Sequence, residues 1–261
     1  ISNFVNQHQA DITVDNYKKK EKSLSEEQKE EMWKKAQMYN ADLAQNQVEL
    51  TDPFVESKSA IKSGLIYNNL LNIDNSGMMC YLEIPCINVN LPVFHGTAAS
   101  TLERGIGHLE GSSLPVGGKS THAVLTGHTG LNNAKLFTDL TEVKEGDLFF
   151  LHTLGKDLAY RVIGTEVVLP EETQDLLIRK GKDLVTLITC TPYGVNSHRL
   201  FVTGIRTKYT PEEKENAKDD RSKDSQWMNA YKKAAIIGLA IAIAMIILLK
   251  GLSKVKEHLA K

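Results

Sequence analysis

Between residues 79 and 208 the chain reads as seven short apolar runs: Met79–Ile84, Ile87–Val93, His122–Thr126, Leu148–Thr153, Leu158–Leu169, Leu184–Cys190 and Leu200–Lys208. Turn signals separate several of them, namely Glu145-Gly146-Asp147, Leu154-Gly155-Lys156-Asp157 and Lys180-Gly181-Lys182-Asp183. Apolar runs of strand length bounded by such residues read as strands. Many short strands at this spacing favour a mainly β domain, a barrel or a sandwich. Short helical pieces are expected near Ala99–Arg104, Ala134–Leu140 and Glu171–Leu177.

The flanking segments have a different character. Residues 1–22 are polar and charged, with Lys18-Lys19-Lys20 as a basic cluster, and read as a solvated spacer. Residues 23–64 read as an N-terminal helical segment. Ser25 followed by Gln28 fits a capping box, and Glu26 and Glu27 suit a helix N-terminus. Met32, Ala36, Tyr39 and Leu43 recur at a helical period, and Trp33 widens the stripe. Asp52-Pro53 then ends the helical pattern, because proline disfavours helix in the residue before it.

After the β domain of residues 65–208, residues 209–233 read as a polar linker. Ala234 to Leu249 is an uninterrupted apolar run of sixteen residues. As a helix it spans about 24 Å, short of a hydrocarbon core of about 30 Å. Lys232, Lys233 and Lys250 extend it by snorkelling, and Tyr231 suits the interface. The expectation is a transmembrane anchor over 234–250 in contact with membrane lipid, with a tail at 251–261. Lysines flank both sides, so local charge does not orient it.

The 261 residues carry a formal net charge of -1, which gives no reason to propose a nucleic-acid partner. Ile1 is not an initiator methionine, so the chain is expected to start after a removed signal or partway along a longer sequence. There are three cysteines, Cys80, Cys86 and Cys190, which leaves at least one thiol free. On one extended strand Cys80 and Cys86 would lie about 20 Å apart, too far for a disulfide.

Cys190 ends a buried strand at the rim of the sheet, just before Thr191-Pro192-Tyr193-Gly194. Arg199 opens the next strand after eight intervening residues. In an antiparallel hairpin the two stand side by side, and a cation there favours thiolate and can bind an oxyanion. His128 follows the strand Ala123-Val124-Leu125-Thr126 and stands in Gly127-His128-Thr129-Gly130. Its imidazole is suited to acid or base work near neutrality. His198 is a rival, but strand alternation points it away from Arg199.

Thr186-Leu187-Ile188-Thr189-Cys190 resembles the Thr-Leu-x-Thr-Cys signature of the sortases, the Gram-positive cell-surface transpeptidases. Thr126-Gly127-His128, the placing of Arg199, and Ile84-Pro85 followed by Leu91-Pro92-Val93-Phe94-His95-Gly96 resemble further parts of that family. The resemblance covers about residues 65–208. It implies a closed sortase-type β-barrel with short helices. It implies catalytic roles for Cys190, His128 and Arg199, with no metal or organic cofactor. Asp52-Pro53-Phe54 resembles the Asp-Pro-aromatic lid of the pilus-building class C. By that resemblance Asp52 approaches Arg199 and Phe54 covers Cys190.

The class implies cleavage of a Leu-Pro-x-Thr-Gly-like sorting signal between Thr and Gly, and transfer to a lysine of a neighbouring pilin subunit. The catalytic domain would lie at the cell membrane, on the extracellular face. The alternatives are a cell-wall-anchoring sortase of another class, a membrane-anchored cysteine hydrolase, or a non-catalytic β-domain whose cysteine is structural.

Overall fold

The computed structural model describes residues 2–46, 50–54, 67–129, 136–218, 232–241, 243, 245 and 246. Two helices come first, α1 (Ser2–Ser23) and α2 (Glu26–Gln45). Eight strands follow: β1 (Met78–Ile84), β2 (Val89–His95), β3 (Ile106–His108), β4 (Thr121–Thr126), β5 (Leu148–Thr153), β6 (Lys156–Val168), β7 (Asp183–Thr191) and β8 (His198–Arg206). They close into a barrel in the order β1-β2-β3-β4-β7-β8-β6-β5. Closure leaves no unpaired sheet edge to be capped.

The β2–β3 and β4–β7 pairs are parallel. The remaining pairs are antiparallel. Each parallel pair ends its two strands at the same rim, which matters below for β4 and β7. Alternation on β7 sends Val185 and Leu187 into the main core with Val202 of β8. Ile188 goes to the outer wall instead, where it packs with Val124 of β4 and Phe201 of β8. Cys190 has the parity of Ile188.

The short strand β3 has no counterpart among the expected elements. Its three residues are too few to show a period of two, and Gly105 and Gly107 flank or interrupt it. A Cβ at Gly105 would lie 2.7 Å from the Pro92 carbonyl oxygen, so the close β2–β3 approach requires glycine there. The expected run Ile87–Val93 divides into a 3-10 turn at Pro85–Ile87 and the strand β2. Cys86 falls in that turn, and all three cysteines are free.

Of the expected helical pieces, Ala99–Leu102 is a short helix and Gln174–Leu176 a 3-10 turn. The third is partly outside the described residues. Its described end runs through turns into a 3-10 turn at Leu140–Glu142.

The expected spacer over residues 1–22 is corrected by α1. Ala10, Val14 and Tyr17 form one buried stripe on a mainly polar helix. Val14 and Tyr17 pack with Met78 and Phe94 of the barrel. The Tyr17 hydroxyl donates to the Met79 carbonyl at 3.0 Å and accepts from the Leu154 N–H at 3.2 Å. Burial of each such side chain stabilises the docking by about 1.5–3 kcal/mol.

Helix α2 carries the expected Ser25–Gln28 capping box. Trp33, Ala36 and Leu43 are buried, with Met32 and Tyr39 partly so. Buried Asn40 grips the barrel connection with both ends of its amide. It donates to the Leu114 carbonyl at 3.0 Å and accepts from the Leu114 N–H at 2.7 Å.

Residues 1–221 form one compact unit and residues 222–261 another. In the second, residues 232–241 are helical, and Ile236, Ile237 and Leu239 are exposed. Among the described residues no helix is long and apolar enough to cross a membrane. Much of the C-terminal half of the expected 234–250 span, and the 251–261 tail, lie outside the described residues.

Candidate active site

Three neighbouring strands bring the predicted residues into a row. In the β7–β8 pair, Cys190 stands directly opposite Arg199. In the parallel β4–β7 pair, Thr126 is opposite Ile188. Two residues further along the chain from each lie His128, just past the end of β4, and Cys190, still on β7. His128, Cys190 and Arg199 therefore line up at one rim, His128 just past the end of β4 and the other two on β7 and β8. Parity places all three on the outer face of the wall, because Val124, Ile188 and Phe201 share that face. His198, the rival, bonds the neighbouring Ser197 hydroxyl.

Backbone and side-chain contacts hold the His128 segment against β7. The Gly127 N–H donates to the Ile188 carbonyl at 3.0 Å, and the Thr189 hydroxyl donates to the Gly127 carbonyl at 2.8 Å. The Phe137 N–H donates to the His128 carbonyl at 3.1 Å. Gly127 has no room for a side chain. A Cβ there would lie 2.7 Å from the Ile106 side chain and 2.8 Å from the Phe137 ring.

A strap formed by residues 50–54 crosses the row. Asp52 accepts two hydrogen bonds from Arg199, at 2.9 Å from Nε and 2.6 Å from Nη2. Both residues are buried, at 8 % exposure each, so this is a shielded bidentate pair. Arg199 Nη1 donates to the carbonyls of Asn196 and His198, each at 3.1 Å. Pro53 is buried. The Phe54 ring lies 5.6 Å from the His128 ring and 5.0 Å from the Arg199 guanidinium. It thus touches the residues on either side of Cys190.

The strap is anchored at its start. Leu50 joins the apolar cluster on the outer wall, with Phe54 packed against it. The Thr173 hydroxyl donates to the Leu50 carbonyl at 2.9 Å. Thr173 carries no sequence signal, since it acts on a backbone carbonyl brought near by the fold; Thr189 lies within the Thr-Leu-x-Thr-Cys resemblance, and its contact with the Gly127 carbonyl likewise comes from the fold.

Electrostatics favour neutral groups in this closed arrangement. Burial pushes the Cys190 thiol above its ordinary value, the Arg199 cation opposes this, and the Asp52 carboxylate adds to the rise. Burial holds the His128 imidazole below its ordinary value, against an opposing pull from Glu103. The Asp52 hydrogen bonds strengthen the hold of Arg199 on its proton. A neutral thiol beside a neutral imidazole is a nucleophile and a base before proton transfer.

Comparison with known proteins places this geometry in a family. The sortase-domain family model matches residues 82–207. The structure of sortase C-1 from Actinomyces oris is 48% identical, with a TM-score of 0.66, and the match covers 69% of this chain and 99% of that one. A Streptococcus pneumoniae sortase C is 41% identical with a TM-score of 0.70, over 76% of this chain and 98% of that one. Among curated proteins, Sortase A of Bacillus anthracis is 30% identical over 51% of this chain and 61% of its own length. The chain thus spans about three fifths of the first curated relatives it matches. A rim cysteine paired with an arginine, a histidine just past the end of the adjoining parallel strand and near-complete coverage of the solved relatives agree: the chain belongs to the sortase family, in its class C branch.

Proposed function

We propose that this chain is a cysteine transpeptidase that joins pilin subunits, with Cys190, His128 and Arg199 as its catalytic residues. The observation that carries the reading is the row of these three residues at the rim where β4 ends beside β7 and β8. In the first step the Cys190 sulfur attacks the threonine carbonyl carbon of a Leu-Pro-x-Thr-Gly-type sorting signal. The thiol proton passes to the His128 imidazole. As the C–N bond breaks, His128 gives that proton to the departing glycine amine, leaving a thioester. In the second step a neutral lysine amine of another subunit attacks the thioester. Its proton returns through His128 to the sulfur as the C–S bond breaks, and a Thr–Lys isopeptide bond remains.

Arg199 stabilises the oxyanion in both steps. Its Nη1 stays pinned by the Asn196 and His198 carbonyls. Its Nε and Nη2 carry the donors that Asp52 takes in the closed state. The Asp52 carboxylate stands in for the oxyanion, so the strap Asp52-Pro53-Phe54 is an inhibitory lid. It must leave before a sorting signal enters. This contact favours the pilus-building class over a wall-anchoring sortase of another class or a simple hydrolase.

Residues 65–208 act as the catalytic domain, linked by 209–233 to a membrane anchor at 234–250, with the domain on the extracellular face. The apolar run and its flanking lysines support the anchor. The pneumococcal relative's pilin substrate specificity supports pilins as partners. Incubation with a sorting-signal donor and a lysine-bearing pilin domain tests the reading. A Thr–Lys product is expected with the native chain and none with Cys190→Ala; an equal yield from Cys190→Ala overturns it.

A further inference from the structure

The transfer reaction needs two substrates, and the row has two sides. Arg199 lies on one side of Cys190. On the other side, beyond His128, a cavity of about 460 Å³ opens between α1, β2 and the turn that leads into β3. Ala10, Thr13, Leu91, Phe94, Glu103 and Leu136 line it. Its volume falls in the range of small-ligand sites.

The cavity adjoins His128 through two of its own walls. Leu136 immediately precedes Phe137, whose N–H bonds the His128 carbonyl. Glu103 lies three residues before Ile106, whose side chain abuts Gly127. Among the described residues, Glu103 is exposed and no ion pair or hydrogen bond ties its carboxylate. Arg104 also lines the cavity and is held against one of its walls. Its guanidinium stacks over the Phe94 ring, 4.2 Å from the centroid. The result is a slot with apolar walls at Leu91, Phe94 and Leu136, polar ones at Gln7, Gln9 and Ser76, and one uncommitted carboxylate, next to the base.

That combination matches the chemistry of a lysine side chain, an aliphatic stem carrying an ammonium. We propose that this cavity receives the acceptor lysine, with Glu103 drawing in its ammonium and Leu91, Phe94 and Leu136 packing its stem. The proposal rests on the transpeptidase reading above.

The placing of Glu103 also resolves a conflict. A carboxylate attracts the cation but disfavours loss of its proton, while attack on the thioester requires the neutral amine. Glu103 is exposed, whereas His128, beside the cavity, is half-buried. An amine moving inward therefore leaves the carboxylate and enters surroundings that favour its neutral form. It releases one proton to solvent, and its remaining N–H protons supply the one that His128 relays to sulfur. Glu103 also gives His128 its proton-favouring bias against burial.

The test compares a cationic with a neutral acceptor in the full chain carrying Asp52→Ala, with and without Glu103→Gln. Acyl transfer from a Leu-Pro-x-Thr-Gly peptide is followed to Nα-acetyl-lysine methylamide and to hydroxylamine, which is neutral at working pH. The ratio of kcat/KM for the lysine compound over hydroxylamine should fall about fivefold on Glu103→Gln, through KM, as expected for one exposed charge pair. Added salt should lower the ratio more in the enzyme that keeps Glu103 than in the one carrying Glu103→Gln. An unchanged ratio overturns the proposal.

If no thioester forms on Cys190, the transpeptidase reading fails, and binding alone then decides the site. Nα-acetyl-lysine methylamide should perturb the amide resonances of Glu103, Arg104 and Leu136 in the ¹⁵N-labelled chain. The norleucine analogue, which lacks the charge, should not. Equal perturbation by both, or none by either, overturns the site.

Discussion

Replacing Asp52 by alanine removes the carboxylate that takes hydrogen bonds of 2.9 Å and 2.6 Å from Arg199. A hydrogen bond to a charged group contributes about 1.5–3 kcal/mol. The two bonds share one buried ion pair and its desolvation cost, so together they favour closure by about 2 kcal/mol. The other strap contacts remain: Phe54 against His128 and Arg199, and the Thr173–Leu50 bond. The variant therefore shifts the balance toward the open strap without unfolding it, by about thirtyfold in the open population.

Access to Cys190 reads this directly. Alkylation by iodoacetamide, followed by intact mass, should run about thirtyfold faster in Asp52→Ala than in the native chain. Cys80 and Cys86 are 0% and 2% exposed and serve as silent internal controls. A second readout comes from charge. Burial and Asp52 both raise the thiol, while Arg199 lowers it. Opening the strap removes the first two influences and leaves the third. The midpoint of alkylation against pH should therefore move down in Asp52→Ala. Native alkylation rates together with an unmoved midpoint would refute the view that this strap gates the thiol.

Three further outcomes follow from the fold. Tyr17→Phe leaves the buried Leu154 N–H without its acceptor and should lower stability by about 1–3 kcal/mol, seen as a reduced Tm; no change would mean that α1 does not dock as described. Gly127→Ala forces a Cβ against Ile106 and Phe137, costs about 1–3 kcal/mol and should depress acyl transfer more than a similarly destabilising change remote from the rim. Glu83, bonded to His152 and Lys214, has its carboxyl lowered to about 2 from 4.5. Its contribution is complete above pH 4.5 and vanishes as pH falls toward 2, so Glu83→Gln should cost about 1–2 kcal/mol at neutral pH, the partly exposed site tempering the full linkage value, and little in acid.

Much of the barrel was legible because its strands are half of a repeating chemical pattern, and period and turn residues are local properties. Leu184–Cys190 and Leu148–Thr153 were visible for that reason. Strand β3 was not, because three residues with glycine at the centre carry no period. The helix α1 was missed because its buried stripe, Ala10, Val14 and Tyr17, is narrow and lost among lysines and glutamines. The Cys190–Arg199 pairing was inferable from one hairpin. The placing of His128 beside them depends on a parallel β4–β7 pairing across some sixty residues, which no local signal contains. Thr173 and Glu103 were invisible for a related reason, since each gains its surroundings from segments distant in sequence.

The central claim is that Cys190 is the nucleophile and that its thioester passes to lysine. Intact mass and peptide mapping of Asp52→Ala, quenched during turnover of a Leu-Pro-x-Thr-Gly peptide, tests it most directly. The account predicts an acyl adduct ending in threonine on Cys190, which builds up without acceptor and decays when a lysine acceptor is added. An adduct on another residue, or isopeptide product from a chain that never carries one on Cys190, would contradict it.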